Sequence, residues 1–269
     1  LKKNRNNFKQ STVDSNTSKL REMYILGIKI HITNLQHSVQ TIMQWIKNKE
    51  HHYVCVRDVH GIVLSQENKV LHHIHQNSGL TVPDGMPLVR IGQLLGHSSI
   101  KRVYGPDLMM RLCQESIKKK YTHCLYGGKS QKDIQKLKRQ LETQFKGIQI
   151  TGAFCPPFST FRSFDDKPFL SHLKTEKPNI VWIGLGTPKQ EYIMAHLRAQ
   201  TDINVIIGVG AAFDIFLGNQ KDAPYWMKYM CLQWLFRIIQ EPGRLGPRYI
   251  KILPKFIFLL ICELIQTKT

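Results

Sequence analysis

The sequence predicts an α/β fold: a mostly parallel sheet with helices on both faces (Rossmann-like), followed by a helical C-terminal appendage. Three observations carry this. From Tyr24 to about residue 217, short apolar runs alternate with stretches of helical periodicity. Each of four runs ends in glycines or an acidic turn, at Asp84-Gly85, Gly127-Gly128, Gly184-Leu-Gly186 and Gly208-Val-Gly210. Beyond about residue 218 the β-type runs cease. Continuous apolar strands are the pattern of a parallel sheet covered on both faces. In open α/β sheets the carboxyl ends of the strands line the ligand crevice, so the glycines are expected around one site.

The elements follow in order. Residues 1–22, rich in Asn, Ser, Thr and Lys, read as a disordered basic leader. The α/β core is placed over 23–217. Within it Tyr53-Val-Cys-Val56 is a strand, followed by one helix from about Val59 to Asn77. Leu80-Thr-Val82 is a short strand stopped by Pro83-Asp84-Gly85, and a helix then leads to Gly96. Asp107–Lys119 is helical, Thr122–Tyr126 a strand, Gln131–Phe145 a charged amphipathic helix, and a strand begins at Gln149-Ile150. Strand Ile180–Ile183, helix Pro188–Ala199 and strand Asn204–Ile207 complete the core. The appendage, 218–269, is too apolar around Trp226, Met230, Trp234 and Ile238 for a solvated helix. Pro242-Gly243 and Gly246-Pro247 are expected to break it into short pieces, and a second segment, Tyr249–Ile265, to be interrupted near Pro254.

The chain has 269 residues and a formal net charge of +19, which favours polyanionic partners: nucleic acid, anionic lipid or a diphosphate substrate. The six cysteines form no C-x-x-C pair and read as reduced thiols of a cytosolic protein. Residues 1–22 lack the apolar segment of a signal peptide, and the run Phe256–Cys262 is too short to span a bilayer, so a soluble or peripheral protein is expected.

Several motifs carry chemistry. In Gly184-Leu-Gly186-Thr-Pro-Lys-Gln-Glu191, two glycines after a strand admit a ligand to the backbone, Pro188 suits the first helical turn, and the helix N-terminus favours a phosphate. Lys189 occupies the place of the third glycine of a dinucleotide fingerprint, which disfavours a nicotinamide oxidoreductase; an ordinary tight turn is the alternative. Asp84, on a turn at the expected crevice, is a candidate general base or else a helix cap. Asp58, Asp107 and Asp214 share that ambiguity. Gly127-Gly128-Lys129-Ser130 offers a phosphate cradle without the spacing of a Walker loop. The histidine pairs lack metal-ligand neighbours, and no Asp-x-Asp pair is present, so no metal or other cofactor is expected. Arg237, Arg244 and Arg248, spaced by seven and four, would share one face of a continuous helix and suit a phosphate. Nearby aromatics with Lys251 and Lys255 suit an anionic membrane surface. No recognition helix, RNP or zinc-finger motif supports a nucleic-acid partner.

Together these segments resemble the WecG/TagA/CpsF glycosyltransferase family. The likeness runs over Val82-Pro-Asp-Gly-Met-Pro-Leu-Val89, Val103-Tyr-Gly-Pro-Asp-Leu-Met109, Leu125-Tyr-Gly-Gly128, Val181 to Glu191, Ile207-Gly-Val-Gly-Ala-Ala-Phe-Asp214, and Ala223 through Pro242 to Arg248-Tyr249. It implies a metal-independent, inverting transferase on the inner face of the plasma membrane, moving a sugar from a UDP-sugar to a polyprenyl-diphosphate-linked saccharide. N-acetylmannosamine, its uronic acid and glucose stand as donor sugars. Under this resemblance Asp84 is the base. The donor falls to Gly127, Gly128, Gly184, Gly186, Pro188, Lys189, Gln190, Glu191 and Asp214. The acceptor falls to Asp58, Asp107, Arg237, Arg244 and Arg248. One departure stands out: many members carry Thr-x-Asn where this chain has Val56-Arg57-Asp58. The apolar tail is also compatible with a homo-oligomer.

Overall fold

The computed structural model describes residues 20–156 and 166–266. Most of the expected leader, residues 1–19, lies outside them, whereas Glu22 already belongs to a strand. A hairpin opens the described chain, β1 (Glu22–Ile25) and β2 (Ile28–His31), closed by Leu26 and Gly27, both at positive φ as a two-residue hairpin turn requires. Asn34 then caps α1 (Leu35–Lys47) by accepting from the His37 N–H at 3.0 Å.

The core continues through β3 (His52–Arg57), α2 (Val59–Glu67), α3 (Lys69–Gln76), β4 (Leu80–Pro83), α4 (Met86–Leu94) and α5 (Gly105–Lys119). It goes on with β5 (Thr122–Gly127), α6 (Gln131–Gln144), β6 (Gln149–Phe154), α7 (Lys167–Glu176), β7 (Ile180–Gly184), α8 (Lys189–Gln200), β8 (Val205–Gly208) and α9 (Ala212–Phe216). The tail holds α10 (Tyr225–Tyr229), α11 (Gln233–Gln240) and α12 (Pro242–Gln266). The one helix expected over Val59–Asn77 is two. Asn68 interrupts it with extended backbone and caps α3, its side-chain oxygen accepting from Val70 and Leu71.

Strands β3 to β8 form a six-stranded sheet in the order β4-β3-β8-β7-β5-β6, every neighbouring pair parallel. Alternate residues serve the two faces. Trp182, Val54 and Ile207 pack with α1, α5, α6 and α9. Val181, Ile183, Cys55 and Ile206 pack with α3, α7 and α8. Burial on both faces is why β7 and β8 are almost wholly apolar, whereas the edge strand β6 alternates exposed Gln149 with buried Ile150. All six cysteines are free, Cys55, Cys113 and Cys124 within this core.

A third cluster joins the hairpin to α2, α4 and the tail: Ile25, Ile30, Ile62 and Leu88 enclose Ile252 and Phe256 of α12. The tail departs from its expected form here. It does not break at Gly246-Pro247 or Pro254; one helix runs from Pro242 to Gln266 with Pro247 and Pro254 inside it. Pro242 takes the first helical position, where no N–H is needed. Each interior proline removes one backbone donor, and burial of Leu245, Ile252 and Phe256 offsets that loss. Among the described residues no helix is long and apolar enough to cross a membrane.

Three buried histidines make the fold acid-sensitive. Burial lowers His31 from 6.5 to about 4, His75 to about 2 and His123 to about 3. Each is engaged while neutral: His31 Nδ1 accepts from the Thr81 N–H at 2.8 Å, His75 Nδ1 donates to the Leu71 carbonyl at 3.0 Å, and His123 Nδ1 accepts from the Trp182 indole at 3.0 Å. Folded-state values below the unfolded one contribute stability that is complete above pH 6.5 and is lost as pH falls through the folded values. Across that window stability should fall steadily with pH, each histidine steepening the decline. Thermal melts on the two sides of pH 6.5 check this; a Tm that is level or rises on acidification would contradict it.

Candidate active site

The chain leaves β5 toward β6 and leaves β7 toward β8, in opposite directions, so the loops after β5 and β7 diverge and open a crevice at the carboxyl edge of the sheet. A cleft of about 360 Å³ lies there, floored by the ends of β3, β4, β5, β7 and β8 and walled on the far side by α11 and α12.

Asp84 stands at this edge because β4 pairs with β3 in the register Arg57↔Pro83, and the next residues, Asp58 and Asp84, leave the sheet together. The Asp84 and Gly85 N–H groups both donate to the Arg57 carbonyl, at 2.7 and 3.2 Å. Arg102 Nη2 donates to Asp84 Oδ1 at 2.9 Å and also reaches Gln233 of α11. Burial raises the Asp84 carboxyl above the usual aspartate value and the Asp58 charge adds to this, while Arg102 opposes without cancelling it. The result is a cleft carboxylate with enhanced proton affinity, the property a general base needs.

Asp58 behaves differently. It caps α2, accepting from the Gly61 N–H at 2.9 Å. Burial pushes its carboxyl up, but His60, that N–H, Arg57 and Arg237 together hold it below the usual value.

On the sheet's other half, Gly128, Gly184, Gly186, Gln190 and Asp214 reach the cleft as expected. Gly184 sits under Phe213: a Cβ there would lie 2.3 Å from the ring, so only a bare backbone fits. Gln190 Oε1 accepts from the Gly210 N–H at 2.9 Å and so ties the β7 and β8 loops. Asp214 pairs with Lys129 at 3.7 Å.

Five expected site residues lie outside the cleft lining. Gly127 packs inward, the place of its missing Cβ being only 2.6 Å from the Gly184 carbonyl. Pro188 is the N-cap residue of α8, and Lys189 begins that helix on its exposed side. Glu191 is fully buried behind the wall, ion-paired with Arg57. Asp107 lies in the first turn of α5 and faces a separate groove beside Leu35 and Met110.

Arg237, Arg244 and Arg248 all line the cleft, but not from one helical face. The chain turns at Glu241 between α11 and α12, so Arg237 comes from one helix and Arg244 and Arg248 from consecutive turns of the next. Arg244 Nε is held by Glu241 at 2.6 Å. Lys255, expected at a lipid surface, pairs with Glu67 of α2.

Arg102, Tyr104, His60 and Gln233, which no sequence motif singles out as site residues, line the cleft, and so does Trp234, one of the tail aromatics expected at a membrane surface. Among 38 Lys and Arg residues, nothing in charge or spacing distinguishes Arg102. Tyr104 donates to Asp222 at 2.8 Å and is covered by Lys228 and Arg102, which fastens the start of the tail beside Asp84. Among the described residues no group of three or more His, Cys, Asp or Glu stands where it could hold a metal ion.

The site is thus a Rossmann-like parallel sheet with a cleft at its carboxyl edge, a carboxylate of raised proton affinity there and an arginine-bearing helical wall, an arrangement suited to an anionic ligand. The chain belongs to the glycosyl transferase WecG/TagA/CpsF family, whose model matches residues 23–269. It is 28% identical over 249 residues to an N-acetylglucosaminyldiphosphoundecaprenol N-acetyl-beta-D-mannosaminyltransferase of Bacillus subtilis, covering 88% of this chain and 93% of that protein. A protein of the same name from Staphylococcus aureus strain MW2 is 24% identical over 248 residues, covering 91% and 92%. Another from Bacillus spizizenii is 26% identical over 193 residues, covering 72% of each.

The Gly184–Phe213 contact is testable. Gly184→Ala must displace the ring or the β7 end, an overpacking change that costs about 1–3 kcal/mol. Thermal unfolding and ligand titration should show lower stability and weaker binding together; parental values for both would mean that the contact yields freely.

Proposed function

We propose that this chain transfers an N-acetylmannosaminyl group from UDP to a hydroxyl of N-acetylglucosamine carried on a polyprenyl diphosphate, with inversion at the anomeric carbon. The observation that carries the reading is Asp84, a carboxylate of raised proton affinity in a cleft whose opposite wall is the arginine-bearing tail. The relatives named above supply the donor sugar and acceptor class.

The acceptor hydroxyl gives its proton to Asp84 as its oxygen bonds to the anomeric carbon. The bond from that carbon to the β-phosphate oxygen breaks, and its electron pair leaves with UDP. A single displacement from the opposite face inverts the centre. Gly128, Gly184, Gly186 and Gln190 hold the donor, with backbone close enough for a diphosphate. Arg237, Arg244 and Arg248 meet the acceptor diphosphate or the departing UDP, and their fixed charge stabilises the transition state without a metal ion.

Peripheral attachment to the inner face of the plasma membrane fits the same wall. Tyr225 is 82% exposed, and Trp226, Met230, Ile250, Ile257, Phe258 and Ile261 are exposed with it on the tail. Apolar side chains beside Lys251 suit the headgroup boundary of an anionic bilayer.

The deciding experiment is a panel of UDP-sugars with polyprenyl-diphosphate N-acetylglucosamine as acceptor, read by UDP release and product mass. UDP-N-acetylmannosamine should give the mono-glycosylated lipid, including in the presence of a chelator. Absence of UDP release with every donor would overturn the reading. Asp84→Asn should lower turnover by about 10²–10⁴-fold with donor binding retained; near-normal turnover removes Asp84 as base. The acid limb of the rate profile should lie above the ordinary aspartate range, because the base must be ionised and its pKa is raised. Arg102→Gln should move that limb higher, since Arg102 lowers the Asp84 value.

A further inference from the structure

Behind the donor side of the cleft lies an ion pair with no access to solvent. Arg57, the last residue of β3, and Glu191, in the first turn of α8, are each 0% exposed and joined through Arg57 Nη2 and Glu191 Oε1. Neither lines the cleft, yet their partners do. Arg57 Nη1 donates to the Thr187 hydroxyl oxygen at 3.2 Å. The same Glu191 oxygen accepts from Gln190 Nε2 at 2.9 Å and from the Thr187 hydroxyl at 3.3 Å. Gln190 in turn accepts the Gly210 N–H. One buried pair thus connects the ends of β3, β7 and β8.

The fold keeps room for it. A Cβ on Gly61 would lie 2.4 Å from Arg57 Nη1, and one on Gly208 would lie 3.0 Å from the Gln190 amide carbon. The pair is not arranged for its own stability, since Arg57 Nε and Glu191 Oε2 are buried with no hydrogen-bond partner among the described residues. Desolvation largely cancels the attraction in such pairs, and apolar replacement of both members is often neutral. What the pair supplies is geometry: a planar guanidinium and a carboxylate hold Thr187 and Gln190 in one arrangement.

We infer that Arg57 and Glu191 are positioning residues which set the Thr187–Gln190 wall of the cleft against a nucleoside diphosphate-linked ligand. The identity of the ligand rests on the function proposed above; the positioning does not.

The test is the double variant Arg57→Met/Glu191→Leu in the full chain, which removes both charges together. Its thermal midpoint should stay close to the parent's. Amide hydrogen exchange over residues 185–192 and 208–213 should accelerate while the rest of the sheet is unchanged. UDP affinity by calorimetry should fall by about tenfold or more, and the donor KM should rise more than kcat falls. A purely structural role would instead lower the active fraction, reducing kcat at constant KM. Parental exchange in those two segments overturns the inference, as does parental UDP affinity where the parent binds UDP. A parent that binds no UDP removes the donor reading alone, and the exchange comparison then decides the positioning. Should the double variant fail to fold, Thr187→Val breaks only the hydroxyl link; faster exchange at 185–192 supports the inference and parental exchange there overturns it.

Discussion

β8 comes after every other strand in sequence and lies in the middle of the sheet, hydrogen-bonded to β3 on one side and β7 on the other. A parallel neighbour cannot be reached by a tight turn, so each strand needs a crossover before the chain returns in the same direction. Parallel pairing therefore brings every carboxyl end to one edge, and with them Asp58, Asp84, Gly128, Gly184 and Gly210. Insertion of β8 between β3 and β7 also sets the Arg57 end of β3 within reach of the first turn of α8. The cleft exists because strands distant in sequence share one hydrogen-bonding direction.

Charge is then sorted by burial. Asp58 and Asp84 leave adjacent strands side by side, yet one is held below the usual aspartate value and the other above it. The difference comes from local partners: a helix-capping N–H and nearby cations for Asp58, and for Asp84 a burial effect that Arg102 only partly opposes. Two carboxylates with opposed shifts separate a fixed anion from a proton acceptor. Arg102 also touches Gln233, so the tail and the proposed base share one guanidinium.

The tail is bound at both ends. Its start is fastened through Tyr104, Asp222 and Lys228 beside Asp84. Its long helix buries Ile252 and Phe256 among residues of the N-terminal hairpin and α2. Between these anchors it presents arginines inward and apolar side chains outward. Removing it would uncover part of a hydrophobic cluster as well as one wall of the cleft.

Much was legible in sequence for a local reason: strand against helix, the glycine-ended βα turns and Asp84 at its turn all depend on periodicity or backbone freedom within a few residues. Where such local signals compete, the sequence reading failed. Asn68 splits α2 from α3 by capping, and Pro247 and Pro254 do not stop α12, because packing against β1, β2 and α2 outweighs two lost backbone donors. Roles set by long-range contact were legible only in part: Asp84, Arg237, Arg244 and Arg248 reach one cleft as expected, but the pairings around them were not visible. Arg57 and Glu191 are separated by 134 positions and joined only by the order of strands, so Glu191 read as a ligand contact when it is a buried partner. Arg102 was one cation among many until the fold set it against Asp84. By itself the sequence determined the fold class, the turns and the site's edge, since these follow from short-range conformational preference. Only the tertiary structure decided which charges face the cleft and which lie behind it, because burial and pairing depend on the neighbours that folding brings together.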